Sequence, residues 1–188
     1  MEQDNGKKII LDLCGGTGAW SKPYKDAGYD VRVIDLKNGD DVRLFEKPRD
    51  NVYGILAAPD CTHFAGSGAR WWAEKGITAL LDGLSVVDAC IRIITVCNPV
   101  FWALENPVGR LVHYLGDPAM YFHPCDFGDL YTKKTCLWGV FNKPELNPVE
   151  PTDGSKLWRL YGGKSEHTKT MRSITPPGFA QAFFKANR

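Results

Sequence analysis

Two reactive side chains follow apolar segments that are typical of buried strands. Cys61 comes just after an apolar run at residues 55–58 and after Pro59, which cannot donate to a strand ladder and therefore ends the strand. Glu105 directly follows a second apolar run at residues 100–104. Because ligands bind outside the carboxyl ends of strands in open α/β sheets, both side chains occupy positions suited to chemistry.

Each of these side chains also has a structural interpretation. A free cysteine is commonly a small buried hydrophobe, and Cys61 taken alone favours that interpretation. Glu105 could be a solvated residue of a loop. The pattern of a strand followed by a reactive group occurs twice, however, and neighbouring strands could bring both side chains to one rim of the sheet. The recurrence therefore favours a functional site.

A third strand end carries a glycine-rich turn. An apolar strand is predicted over residues 8–14, followed by a glycine turn at residues 15–18, a helix over 19–27 and a second strand over 29–35. The glycines let the backbone approach a ligand, and the helix N-terminus offers unpaired N–H groups. Asp35 at the second strand end could accept hydrogen bonds from ribose hydroxyls. A glycine turn alone can merely save space, but this βαβ unit indicates a nucleoside-containing cofactor.

The rest of the chain completes a single α/β domain. Apolar residues at helical spacing predict a core-packed helix over residues 80–97, which includes Cys90 and Cys97 as packing residues and ends at Asn98. The later predicted elements are an aromatic loop over 113–124, a strand that reaches Gly139, an irregular connection over 141–154 and a short helix over 176–186. No internal repeat or second domain is apparent.

A basic segment with interleaved aromatic residues lies near the C-terminus. Its basic residues are Lys156, Arg159, Lys164, Lys169 and Arg172, and its aromatic residues are Trp158, Tyr161 and His167. Such a mixture suits phosphate contact and base stacking. A solvated surface loop explains the composition equally well.

Composition narrows the class of protein. The chain has 188 residues and a net charge of +1, so a nucleic-acid-binding surface would have to be a local patch. Its six cysteines form no CxxC pair and no zinc-type spacing with the histidines, which predicts reduced thiols and no metal site. The polar N-terminus is unlike a signal peptide, and no apolar run reaches the ~20 residues of a membrane helix. We therefore expect a cytoplasmic protein with no membrane partner.

Several segments, in this order, resemble motifs of the cytosine-C5 DNA methyltransferase family. Residues 12–18, Asp-Leu-Cys-Gly-Gly-Thr-Gly, are similar to the family's S-adenosylmethionine loop. Cys61 stands in a Pro-Xaa-Cys-Xaa-Xaa-Phe setting that resembles the nucleophile motif Pro-Pro-Cys, and residues 105–107, Glu-Asn-Pro, resemble the motif Glu-Asn-Val. Residues 132–134 resemble the Gln-x-Arg-x-Arg segment, and residues 172–176 resemble a late structural motif.

The chain departs from the family pattern at four places. Asp60 replaces the proline before the nucleophile, and its carboxylate should raise the pKa of the Cys61 thiol. Pro107 replaces valine. The arginines of the Gln-x-Arg-x-Arg segment appear only as Thr132 and Lys134, so bidentate contacts become point-charge contacts. The large target-recognition domain is reduced to residues 140–171, as in small phage-type members of the family.

The resemblance implies an S-adenosylmethionine-dependent methyltransferase fold: a mostly parallel, Rossmann-like sheet with helices on both faces and a late antiparallel hairpin. It also implies methyl transfer from S-adenosylmethionine to C5 of cytosine in DNA, through a covalent bond between Cys61 and C6. Glu105 would act on N3 of the base, Asn106 would hold the loop that carries Glu105, and Lys134 would contact the base or its phosphate.

Further residues are expected to hold the cofactor and the nucleic acid. The expected cofactor-binding residues are Asp12, Cys14, Gly15, Gly16, Gly18, Asp35, Leu36, Asp41, Val42 and Pro59. The expected nucleic-acid-binding residues are Lys133, Lys156, Arg159, Lys164 and Arg172. The acidic turn at residues 40–41 would contact the adenine of the cofactor, although a solvated loop is the alternative.

Three other functions fit the same residues. The first is the same chemistry on RNA or on a free cytosine nucleotide, which the reduced recognition segment suggests. The second is transfer of a modified group from a variant of S-adenosylmethionine. The third is an inactive cofactor- or nucleic-acid-binding relative, which the departure at Asp60 keeps open. The presence of both Cys61 and Glu105 argues against the third, because binding alone would not need both.

Overall fold

Six strands form one mixed sheet in the computed structural model, which describes residues 5–155 and 165–188. The strands are β1 (Ile9–Leu13), β2 (Asp30–Ile34), β3 (Val52–Ala57), β4 (Phe101–Pro107), β5 (Met120–Phe122) and β6 (Thr135–Val140). Their order across the sheet is β2-β1-β3-β4-β6-β5. The four strands from β2 to β4 are parallel, whereas β6 pairs antiparallel with both β4 and β5.

The predicted βαβ unit and the late antiparallel pair are both confirmed. β1 and β2 run parallel with Ile9 opposite Asp30 and Leu13 opposite Ile34. β5 and β6 form the antiparallel edge of the sheet, in which Phe122 lies opposite Thr135. The fold class expected from the sequence, an α/β fold with a mostly parallel sheet, is therefore correct.

Helices cover both faces of the sheet. They are α1 (Lys22–Asp26), α2 (Trp72–Cys97), α3 (Val112–Leu115), α4 (Glu166–Ser173) and α5 (Pro177–Ala186). Alternate residues of β1 point to opposite faces: Leu11 packs in the cluster that includes α2, whereas Ile10 packs in the cluster that includes α1 and α5. Burial on both faces explains why β1 is almost continuously apolar. No helix in the two described ranges combines the length and the apolar character that a bilayer crossing needs.

Two helices begin at positions other than those expected. The helix predicted over residues 19–27 begins only at Lys22, because Gly16 and Gly18 have positive φ and Pro23 is best tolerated in a first turn. The helix predicted from residue 80 begins at Trp72. Helix α2 has a break at Gly76, where φ is 71°. The apolar pattern that predicts the helix covers only the uninterrupted part C-terminal to this break.

Two further predictions are corrected in the second half of the chain. The strand expected to end at residue 104 continues through Glu105 to Pro107, because β6 pairs with it along that whole length. Residues 113–124, expected to be a loop, contain most of α3 and all of β5. Glu105 is thus held inside a strand rather than in the loop that follows it.

Candidate active site

A hydrogen bond connects the ends of the neighbouring strands β3 and β4 next to Cys61. These strands are parallel neighbours, with Ala57 opposite Leu104. The buried Asn106 donates from Nδ2 to the carbonyl oxygen of Pro59 at 2.8 Å. Asn106 was expected to hold the loop that carries Glu105, but its amide instead anchors the segment that leads to Cys61. The sequence prediction that both strand ends share one rim is confirmed.

Lys133 lies beside Glu105. Its Nζ is 3.7 Å from Oε1 of Glu105, and the two side chains are only 12% and 16% exposed. The same ammonium donates to the backbone carbonyl of Arg172 at 3.3 Å. An ion pair with so little exposure is screened weakly by solvent and salt, so its charges act strongly on nearby groups.

Burial raises the pKa of the half-buried Cys61 thiol to about 11. The positive charge of Lys133 opposes this effect, whereas the carboxylates of Asp60 and Glu105 raise the pKa further. The effect expected of Asp60 is thus confirmed, and all three charged groups lie within electrostatic reach of the thiol. Asp60 is also held by its own loop, because Oδ1 accepts hydrogen bonds from the backbone N–H and the hydroxyl of Thr62 at 2.8 and 2.6 Å.

Of the other basic residues of the predicted site, the structure describes Lys134 and Arg172. Lys134 is exposed, and its ammonium is 5.2 Å from the ring centroid of Tyr121. Arg172 contributes its backbone carbonyl to Lys133. Lys156, Arg159 and Lys164 lie outside the described residues. The structure therefore brings Lys133, rather than Lys134, to Cys61 and Glu105.

Asp12 and Ser21 form a buried pair beneath the glycine turn. The Ser21 hydroxyl donates to Oδ2 of Asp12 at 2.5 Å, and Oδ1 of Asp12 has no partner among the described residues. A Cβ on Gly15 would collide with the Asp12 carboxyl group, so only glycine fits there. Ser21 was not identified from the sequence, where a lone serine in a predicted helix carries no signal of such a contact.

Burial raises the pKa of Asp12 to about 6, although the Ser21 hydrogen bond opposes the shift. An acid whose pKa is raised on folding stabilises the fold at low pH, and this contribution is lost as the pH rises from about 4 to about 6. We therefore expect Asp12→Asn to be more stable than the unchanged protein at about pH 8, by up to about 3 kcal/mol. The gain should be much smaller at about pH 4.

Urea unfolding at the two pH values would measure this difference. Ser21→Ala is the matched control, because it removes the hydrogen bond and should destabilise the protein at both pH values. An Asp12→Asn protein that is equally destabilised at both pH values would contradict a buried Asp12 that resists ionisation.

Asp35 joins the glycine turn to the end of β2. Its Oδ2 accepts from the backbone N–H of Gly16 at 2.8 Å, and its Oδ1 accepts from the backbone N–H of Lys37 at 2.9 Å. Leu36 is 66% exposed directly after it. Cys14 has a positive φ of 56° and packs against the core cluster that includes α2. The turn therefore has a fixed backbone shape beside an exposed apolar side chain.

Asp41 and Val42 are already in contact with other parts of the protein. The Asp41 carboxylate is paired with the Arg43 guanidinium at 2.6 Å, which lowers the pKa of Asp41. Arg43 also reaches Asp82 on α2 at 3.1 Å. Val42 is buried in the core, so these two residues serve the packing of the loop after β2. Their contact with a cofactor stays a prediction.

The described residues contain no group of three His, Cys, Asp or Glu side chains that could hold a metal ion. All six cysteines are free thiols.

Comparison with solved structures identifies a similar fold. One match is a crystal structure described as that of a DNA modification methyltransferase encoded within a prophage of E. coli. The two chains are 15% identical and align with a TM-score of 0.55, over 76% of this chain and 53% of the other. The chain thus spans about half the length of that protein. No protein-family model matches the chain, and no curated protein does. The chain has the Rossmann-like fold of the S-adenosylmethionine-dependent methyltransferases.

Proposed function

We propose that this protein transfers a methyl group from S-adenosylmethionine to C5 of cytosine in DNA, with Cys61 as the nucleophile. The observation that carries the proposal is the meeting of Cys61, Glu105 and Lys133 at the adjoining ends of β3 and β4. The fold shared with a DNA modification methyltransferase supports methyl transfer and a DNA substrate. The resemblance to the cytosine-C5 family supports the covalent chemistry.

The glycine turn fits S-adenosylmethionine. Gly16 and Gly18 have φ values of 55° and 69° and present bare backbone, while Asp12 holds a buried carboxyl oxygen without a partner among the described residues. Asp35 and the exposed Leu36 lie at the adjacent strand end. These residues would hold the nucleoside and the amino-acid portion of the cofactor. When bound, S-adenosylmethionine supplies the methyl group that C5 accepts.

The side chains at the other strand ends would activate the base. The Cys61 thiolate forms a bond to C6, and the electron pair of the C5–C6 double bond makes C5 nucleophilic. Glu105, which pairs with Lys133 as a carboxylate in the free protein, would take up the proton that the Cys61 thiol gives up and donate it, or a hydrogen bond, to N3, which stabilises the charge that moves onto the ring. After C5 has accepted the methyl group, solvent water would take up the C5 proton, the electron pair of that C–H bond would re-form the C5–C6 double bond as the Cys61 sulfur leaves C6, and N3 would return its proton to Glu105.

Lys133 would make these charge changes possible. In the free protein Cys61 is a neutral thiol at neutral pH, because its pKa is about 11. Its ionisation next to Glu105 would place two negative charges together, and the Lys133 ammonium offsets that repulsion. In duplex DNA the cytosine must also leave the base stack, which costs a few kcal/mol.

Mass spectrometry of nucleosides tests the reaction directly. The protein is incubated with cytosine-containing DNA and S-adenosylmethionine that carries a deuterated methyl group, and the DNA is digested. We expect deuterated 5-methyldeoxycytidine from the unchanged protein and none from Cys61→Ser. Parallel incubations with RNA and with cytidine nucleotides test the alternative substrates. Methylation at another atom of the base, or none in any substrate, would refute the proposed reaction.

Asp35→Ala should weaken cofactor binding. The substitution removes the carboxylate that accepts from the Gly16 N–H and that would accept from the ribose hydroxyls. Each of these hydrogen bonds contributes about 1–3 kcal/mol when it is buried. We therefore expect the Kd for S-adenosylhomocysteine to rise about tenfold or more in titration calorimetry. Asp26→Ala is a suitable control, because Asp26 pairs with the exposed Lys22 four residues earlier in the chain. Equal affinity in the two variants would contradict a cofactor site at Asp35.

A further inference from the structure

The loop that carries Cys61 is fastened to the segment after β4. Within the loop, the carbonyl oxygen of Cys61 accepts from the backbone N–H groups of Phe64 and Ala65, both at 2.9 Å. The loop then pairs with the second segment: Gly66 N–H donates to the Val108 carbonyl at 2.9 Å. At Gly109 a Cβ would collide with the Phe64 carbonyl, so the two backbones are in close contact.

Arg110 adds both its backbone and its side chain to this contact. Its backbone N–H donates to the Phe64 carbonyl at 2.9 Å, and its Nε donates to the His63 carbonyl at 2.7 Å. The guanidinium lies 4.5 Å from the ring centroid of Trp72, the first residue of α2. One side chain therefore links the Cys61 loop, the segment after β4 and the start of α2.

We propose that Arg110 is a positioning residue for the reaction: its guanidinium holds the His63 carbonyl and the Trp72 ring, and thereby fixes Cys61 opposite Glu105. Asn106 fixes the same loop on the other side of the cysteine, at Pro59. Cys61 thus lies between two attachments that both originate in β4 and the segment directly after it. The Cys61 sulfur is held at a fixed position relative to Glu105, because Asn106 and Arg110 both belong to the segment that carries Glu105.

The chemistry of arginine suits this role. A planar guanidinium can donate from Nε in its plane while it stacks on an aromatic ring with its face, which a lysine ammonium cannot do. Nη2 of Arg110 is buried with no hydrogen-bond partner among the described residues. The cost of burying that donor indicates that the guanidinium is held in place by its other contacts. Arg110→Lys keeps the charge and loses this geometry.

Two measurements on Arg110→Lys test the proposal, whose activity readout rests on the proposed function. The first is the rate of covalent adduct formation with DNA that contains 5-fluorocytosine, which should fall about tenfold or more, because small displacements of reacting groups have effects of this size. The Kd for S-adenosylhomocysteine should stay within about twofold. The second is alkylation of Cys61 by iodoacetamide without DNA at about pH 8. It should become faster, because a released loop exposes the thiol and removes the burial that raises its pKa.

Arg70→Lys is the matched control. Arg70 also stacks on a tryptophan, with its guanidinium 3.9 Å from the Trp71 ring centroid, but it is exposed at residue 70 of the same segment. This control should leave the alkylation of Cys61 unchanged. If Arg110→Lys unfolds, Trp72→Leu removes the stacking partner and should shift both measurements in the same directions, by smaller amounts.

The outcomes separate this proposal from the proposed function. Unchanged alkylation in folded Arg110→Lys overturns the positioning role, even if the adduct forms more slowly. Faster alkylation together with wild-type adduct formation also overturns it, because the released loop would then not matter for the reaction. If the unchanged protein forms no adduct, the proposed function fails, and faster alkylation in Arg110→Lys would still support the hold on the loop.

Discussion

Cys61→Ser will form no covalent adduct with DNA that contains 5-fluorocytosine, whereas the unchanged protein will form one in the presence of S-adenosylmethionine. Fluorine at C5 cannot leave as a proton does, so the enzyme stays bound through the bond between the Cys61 sulfur and C6. A serine hydroxyl is a much weaker nucleophile than a thiolate. A denaturing gel that retains the protein on the DNA, followed by peptide mass spectrometry, measures the adduct and locates it.

The pH dependence of the adduct gives a second test of the same residue. Because the pKa of Cys61 is raised to about 11, the thiolate fraction and the rate of adduct formation should increase from about pH 7 to about pH 9. Glu105→Gln should slow the adduct without unfolding the protein, since it cannot supply a proton to N3.

Cofactor binding serves as the control for Cys61→Ser and should be retained. An adduct that survives the substitution, or that maps to Cys14, Cys90 or Cys136, would place the active site elsewhere. Cofactor binding with no adduct in the unchanged protein would favour an inactive relative, and the carboxylate of Asp60 beside the thiol would then be the first residue to replace.

Lys133→Met should reduce the rate of adduct formation by about 10- to 100-fold. The substitution removes the positive charge beside Glu105 and leaves Cys61 with the two carboxylates that already raise its pKa. A shift of one to two units in the pKa of the thiol lowers the thiolate fraction at neutral pH by about 10- to 100-fold. Single-turnover kinetics with 5-fluorocytosine DNA would measure the loss, with circular dichroism to verify folding.

Comparing Lys134→Met with Lys133→Met tests which of the two lysines acts in the reaction. The resemblance to the cytosine-C5 family favours Lys134 as the residue that contacts the base, whereas the structure brings Lys133 to Glu105 and leaves Lys134 exposed over Tyr121. We expect a smaller loss for Lys134→Met than for Lys133→Met. A larger loss for Lys134→Met would show that the exposed lysine reaches the substrate and that the ion pair with Glu105 is structural.

The sequence by itself determined the elements that depend on local pattern. Local pattern predicted β1 and β2 to within one residue at each end and the end of β3 to within one residue; β1 and β3 are recognisable because strands buried on both faces are nearly continuously apolar. Turn-forming residues indicated where strands end, and so identified the positions of Cys61 and Asp35. These signals are local, since each is set by a residue and its immediate neighbours.

Only the tertiary structure decided which side chains meet. Lys133 and Lys134 are adjacent in the chain, and the one that faces Glu105 is determined by how the segment enters β6 and by the register of β6 on β4. The extension of β4 through Glu105 has the same cause. The contacts of Ser21 with Asp12 and of Arg110 with His63 likewise join segments 9 and 47 positions apart. Such contacts leave no periodic trace in the sequence, because the free energy that selects them comes from packing of the whole domain.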